Sequence, residues 1–126
     1  MSLLLILAIV AMLLAATLYT VAVFGERAAE VLKHLHLGLF WLGLVSDTTG
    51  TTLMGEIAGG FKFDLHGFLG AAAIVLMLVH SVWATLAIWK RNDRVLHNFH
   101  RFSVHVWALW MAALVSGVAM VALGER

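Results

Sequence analysis

Apolar residues in this chain run in long blocks, separated by short charged breaks, and do not alternate. Residues 3–24 are apolar apart from Thr17, Tyr19 and Thr20. A charged stretch follows at 25–33 (GERAAEVLK), then a block that begins HLHLGLFWLGLV and continues into SDTTGTTLM. A glycine-rich break at 55–62 (GEIAGGFK) precedes the third apolar block, 64–89. The strongly charged stretch 90–98 (KRNDRVLHN) leads into the fourth, 100–123. At ~1.5 Å per residue, blocks of this length match a ~30 Å hydrocarbon layer. The pattern predicts four spans, over residues 3–24, 33–54, 64–89 and 100–123. Short connections make this an all-α, up-down transmembrane four-helix bundle in a single domain, residues 1–126.

The first block exceeds the ~7–15 residues of a signal-peptide core, and only the terminal amine precedes it as a charge. It is read as a retained span and a packing helix. The second block is harder. Asp-Thr-Thr-Gly would make a turn in water, but a helix from Lys33 to Met54 is about 31 Å long and crosses. Ser46, Asp47, Thr48, Thr49, Thr51 and Thr52 then lie on its far half, inside the bundle. The alternative is a helix that ends near Val45 with a buried re-entrant loop.

Composition sharpens the class. The chain is 63% hydrophobic and 12% charged, with no Cys or Pro. A soluble domain of 126 residues has too much surface to hide that much apolar area. Without Cys there are no disulfides, thiolate-ligated haem or cysteine-ligated iron–sulfur clusters. A net charge of +1 gives no reason to expect nucleic acid. Arg27, Lys33, Lys90, Arg91, Arg94 and Arg101 flank the first and third connections, against Lys62 and Arg126 opposite. The basic face is therefore expected in the cytoplasm, with both termini outside the plasma membrane. Trp83, Trp89 and Trp107 are expected to form an aromatic belt there.

Seven histidines in such a chain are costly, and intramembrane ionisable groups usually mark a site. His66 and His80 are fourteen residues apart, hence ~21 Å apart along one helical stripe. His36, His80, His97, His100 and His105 fall on the basic side, with His34. Two imidazoles from facing helices can hold a haem iron. His80 with His36 or His100 is the expected pair. Small residues near His66 (Gly67, Gly70, Ala71) and near His80 (Ala84) leave room or simply pack helices. His80 lies near the centre of its block, while His36 and His105 lie ~11–13 Å from theirs, a mismatch in depth. His66 has no histidine opposite it. Met54, Met120 or the His66 of a second copy would have to serve. Alternatively His66 belongs to a polar pocket with Asp47, Thr48, Thr51, Glu56, Lys62 and Asp64. In that pocket Asp47 is a proton relay, quinone contact or metal ligand, or is simply paired with Lys62.

The segment FWLGL–DTTGTTLM (Phe40 to Met54), with GGFKF (Gly59 to Phe63) and His66-Gly67, resembles the HsmA family of small four-span prokaryotic membrane proteins. The resemblance covers nearly the whole chain. His36, Asp47, His66, His80 and His100 fall on its pattern, whereas His34, His97 and His105 do not. It implies haem or redox involvement without a settled reaction. The expected function is therefore a b-type haem protein, with one haem or two, for haem sensing or transmembrane electron transfer. A quinone or membrane redox partner and a homodimer are the partners in view. Such a protein is a cytochrome or a membrane oxidoreductase. The alternative is a non-haem, proton- or metal-coupled small transporter or regulatory subunit. A metal-dependent membrane enzyme ranks third, because carboxylates are missing beside the histidines.

Overall fold

The computed structural model describes residues 2–60 and 65–122. It is all-helical: α1 (Leu3–Ala29), α2 (His34–Ala58), α3 (Leu65–Lys90) and α4 (Asp93–Ala122). The helices run up and down in a ring. Each packs closely on two neighbours, and across one diagonal α4 reaches α2 through the Trp110 side chain, which bonds Asp47. Among the described residues, three segments are long and apolar enough to cross a membrane: Leu3–Ala29, His66–Lys90 and Asp93–Ala119. Large apolar side chains such as Leu13, Val75, Val79 and Val115 face outward, as they do where lipid is the solvent. By length and composition these helices suit a membrane protein. α2 is of similar length, but the run from Ser46 to Thr52 lowers its hydropathy below that of the other three.

α2 passes through Asp-Thr-Thr-Gly without a break, so the re-entrant alternative is not adopted. The polar side chains there turn back onto helices. Thr49 Oγ1 donates to its own Val45 carbonyl at 2.9 Å, and Ser46 Oγ donates to the Ala11 carbonyl of α1 at 2.6 Å. Each satisfies a hydroxyl that lipid would leave unpaired. Two helix ends differ from expectation. α1 continues past Phe24 to Ala29, where Glu30 closes it in a left-handed conformation (φ 59°). α4 begins at Asp93, seven residues before His100. Asn92 Oδ1 accepts the Val95 N–H at 3.3 Å, and Asp93 sits at the positive helix end. The third connection is thus only Arg91 and Asn92, and the charged stretch is mostly helix.

Within the bundle, side chains repeat every seven residues, which carries each helix ~10.5 Å and returns it to the same face. Glu26, Tyr19 and Met12 form this row on α1. Phe40 and Asp47 lie on α2, His80, Ala73 and His66 on α3, and Ser103, Trp110 and Gly117 on α4. Large side chains settle over glycines. A Cβ on Gly43 would lie 2.6 Å from the Tyr19 ring, and one on Gly50 would lie 2.5 Å from Met12 Sδ. One on Gly117 would lie 2.8 Å from the His66 ring. These glycines let α1 approach α2 and α3 approach α4 closely, as small residues do in membrane bundles.

The result is two helical hairpins, α1/α2 and α3/α4. Side-chain hydrogen bonds dock one against the other. Ser103 Oγ donates to Glu26 Oε1 at 2.9 Å, and Trp110 Nε1 donates to Asp47 Oδ2 at 2.9 Å. Trp41 Nε1 donates to Thr85 Oγ1 at 2.9 Å, and Trp107 Nε1 donates to Thr20 Oγ1 at 3.0 Å. At the basic end the Leu32 N–H donates to the Leu96 carbonyl at 3.0 Å.

Candidate functional site

Two polar layers lie in the interior, one heptad apart. The first, nearer the basic end, is Glu26, Ser103 and His80, all fully buried. They come from α1, α4 and α3. Ser103 Oγ–H donates to Glu26 Oε1, so the same oxygen accepts from His80 Nε2–H at 2.7 Å. In its neutral form the imidazole then carries a lone pair on Nδ1. That Nδ1 and Glu26 Oε2 are buried with no hydrogen-bond partner among the described residues, as are Ser81 Oγ and His100 Nδ1. Buried polar groups are nearly always paired, so these atoms mark where this end of the bundle could take a further partner. Aromatic rings close the layer. Phe40, Phe99 and Phe102 stand 4.4, 4.9 and 5.7 Å from the His80 ring, centroid to centroid. His100 is one turn before Ser103 on α4 and half-buried, while His97, a turn earlier, is exposed.

The second layer centres on Asp47, which is 1% exposed. Oδ2 accepts from Tyr19 O–H and Trp110 Nε1–H, both at 2.9 Å, and Oδ1 accepts from Thr51 at 3.3 Å. The Tyr19 and Trp110 rings meet edge to face at 5.0 Å. All three partners donate, which suits an ionised carboxylate that only accepts. Of the expected polar pocket, Thr51 is brought to Asp47. Thr48 is exposed, because it is turned ~100° from Asp47 on the helix. Glu56 is exposed as well. Lys62 and Asp64 lie outside the described residues, as does the side chain of Met120. His66 takes α4 as its partner. Ser116 Oγ–H donates to the Ala113 carbonyl at 2.7 Å, so His66 Nδ1–H donates to Ser116 at 2.7 Å and Nε2 keeps its lone pair.

The remaining histidines separate. His36 is buried, and its Nδ1 accepts the Lys33 N–H at 3.0 Å. Its proton is then on Nε2, which lies against Gly25. His97 and His105 each donate Nδ1–H to a carbonyl one turn back, Asp93 and Arg101, and both are exposed. Among the described residues no three of His, Asp and Glu are arranged to hold a metal ion.

A haem needs an imidazole nitrogen aimed at iron and a flat slot beside it. His80 Nε2 is bonded to Ser103, and three phenylalanine rings occupy the space around it. His36 offers neither nitrogen as a free lone pair. As packed, these residues do not fit a porphyrin between His80 and His36. Near His66, Gly70 faces open space, but the ring itself lies on Gly117.

Sequence reasoning missed Glu26, Ser103, Tyr19 and Trp110. Glu26 stands in a charged stretch and reads as a connection residue. The signal that could have found it was spacing: Glu26 is seven residues from Tyr19, and Ser103 is seven from Trp110. Comparison with known protein families, curated proteins and solved structures finds no match.

Proposed function

We infer that this chain is a small integral membrane protein that takes up and passes protons through the buried Glu26–Ser103–His80 chain. This is the non-haem, proton-coupled reading, as a small transporter or a regulatory subunit. The observation that carries it is one serine hydroxyl bridging a carboxylate and an imidazole from three helices.

The proton accounting is simple. When a proton arrives at His80 Nδ1, the Nε2–H moves to Ser103 Oγ and the Ser103 proton moves to Glu26 Oε1. The outcome is a neutral carboxyl and an imidazole with a free Nε2. Release of the Glu26 proton, return of the imidazole proton to Nε2 and rotation of the hydroxyl reset the chain. Holding one proton beyond the carboxylate–imidazole form makes the triad neutral, the form that low-dielectric surroundings tolerate. His97 and His100 supply an entry ladder in three-residue steps, from exposed to half-buried to Ser103. By the excess of Lys and Arg, that entry is on the cytoplasmic side and both termini are outside. Asp47 and then His66 stand deeper, one and two heptads from the triad. Each step of ~10.5 Å exceeds hydrogen-bond reach and requires water or helix motion.

Haem ligation, which the HsmA resemblance implies, is the second reading. The two partnerless nitrogens on His80 and His100 favour it, and the phenylalanine packing opposes it.

The test is a vesicle assay with an internal pH dye and valinomycin to balance charge. Wild-type protein should equilibrate a pH step faster than empty vesicles, and Glu26→Gln should lose most of that excess rate. Equal rates for Glu26→Gln and wild type would defeat the proton reading. A sharp Soret band in the purified protein would put haem in its place.

A further inference from the structure

At the basic end, the first connection meets the third in a hollow of about 290 Å³. Its walls are Leu32, Ile88 and Leu96, and its polar groups are His34 and Arg91, with Trp89 at the rim. The backbone bond from Leu32 to Leu96 ties the first connection to α4 beside the hollow. Arg91 is held in a left-handed conformation (φ 52°) at the end of α3, a backbone state that L residues seldom adopt. Its guanidinium makes no hydrogen bond or ion pair among the described residues. Trp89 is 78% exposed, the most exposed large apolar residue here.

Charge around the hollow is one-sided. Lys33, Lys90, Arg94 and Arg101 lie within five residues of its lining in sequence, against the acids Glu30 and Asp93. The first turn of α2, which begins at His34, carries no acidic residue. A hollow with apolar walls, one free guanidinium, an imidazole and a tryptophan at the rim has the chemistry of an interfacial lipid site. The phosphate meets Arg91 and His34, and the glycerol and upper acyl carbons lie on Ile88, Trp89 and Leu96.

We propose that this hollow binds the headgroup of an anionic phospholipid from the surrounding leaflet. The site is independent of the proton chain, since none of its lining residues belongs to the triad. It fixes the corner where α1/α2 and α3/α4 meet at the basic end.

The test is native mass spectrometry of the full chain after exchange into detergent with phosphatidylglycerol or phosphatidylcholine. Arg91→Asn removes the guanidinium while keeping a residue that tolerates the left-handed backbone. Arg101→Gln removes the same charge from the same face without touching the hollow. Wild-type protein should retain phosphatidylglycerol over phosphatidylcholine. Arg91→Asn should weaken that retention about fivefold, and Arg101→Gln should leave it near wild type. Equal weakening by both variants would mean diffuse charge attraction and would overturn the site. So would equal retention of both lipids, or loss of phosphatidylglycerol to millimolar inorganic phosphate. As a check on folding, Arg91→Asn should keep the wild-type helical circular dichroism.

Discussion

Replacing Asp47 with alanine should be the most destabilising single change in the interior. The substitution deletes one acceptor group and strands three donors, the hydroxyl of Tyr19, the indole N–H of Trp110 and the hydroxyl of Thr51. Individual hydrogen bonds in membrane bundles average only ~0.6 kcal/mol, because the undocked helices find other partners. Here two of the donors converge on one buried oxygen, and one of them ties the hairpins together. Their loss should cost about 2–4 kcal/mol, measured as a shift in the free energy of unfolding by sodium dodecyl sulfate. Asp47→Asn keeps one carbonyl acceptor and should lose about half as much. If alanine and asparagine cost the same, or neither exceeds a surface control such as Thr48→Ala, Asp47 is not the acceptor that holds this layer.

The second large effect concerns transport. Ser103→Ala removes both bonds of the first layer with the loss of one oxygen, leaving Glu26 and His80 in place but unlinked. A positioned proton donor or acceptor typically contributes 10²–10⁴-fold, so the dye-reported proton rate should fall about a hundredfold. His80→Phe separates this from collapse of the bundle. It offers an apolar ring of similar size to the surrounding Phe40, Phe99 and Phe102, and it should keep stability near wild type while the rate still falls. A fast Ser103→Ala protein would show that protons, if they move, take another route.

The layers that these two variants attack differ in how plainly the chain announces them. The four helices follow from block length, since nothing but a span explains such apolar runs. His80 and Asp47 stand out because each is a polar residue in the middle of a span. Glu26 hides because its neighbours Arg27 and Glu30 are charged, and only the structure reveals that α1 carries it inward past Phe24. Ser103 and Trp110 hide for the opposite reason, as both are ordinary residues for a membrane helix. Tyr19 reads as a mild interruption of an apolar run. What assigns these four their roles is the facing of α1 against α4, a long-range pairing that no local periodicity encodes. The packing does not bring the expected pair, His80 and His36, together, for that same reason. His36 points at Gly25 of α1 and closes its own helix start, leaving Phe40 to face His80.

The docking of the two hairpins has a consequence for how the protein is made. Within each hairpin, close glycine contacts let neighbouring helices settle together as soon as both are in the bilayer. Between hairpins, the carboxylates of α1/α2 must find the serine and tryptophan donors of α3/α4. Assembly should therefore have two stages, with each hairpin inserting as a unit and the polar bonds acting afterwards as the clasp between halves. The peptide bonds that join α2 to α3 are then dispensable for the final form. A gene cut between Gly60 and Leu65 should yield two fragments that recover each other in the membrane and co-purify, and Asp47→Ala should keep them apart.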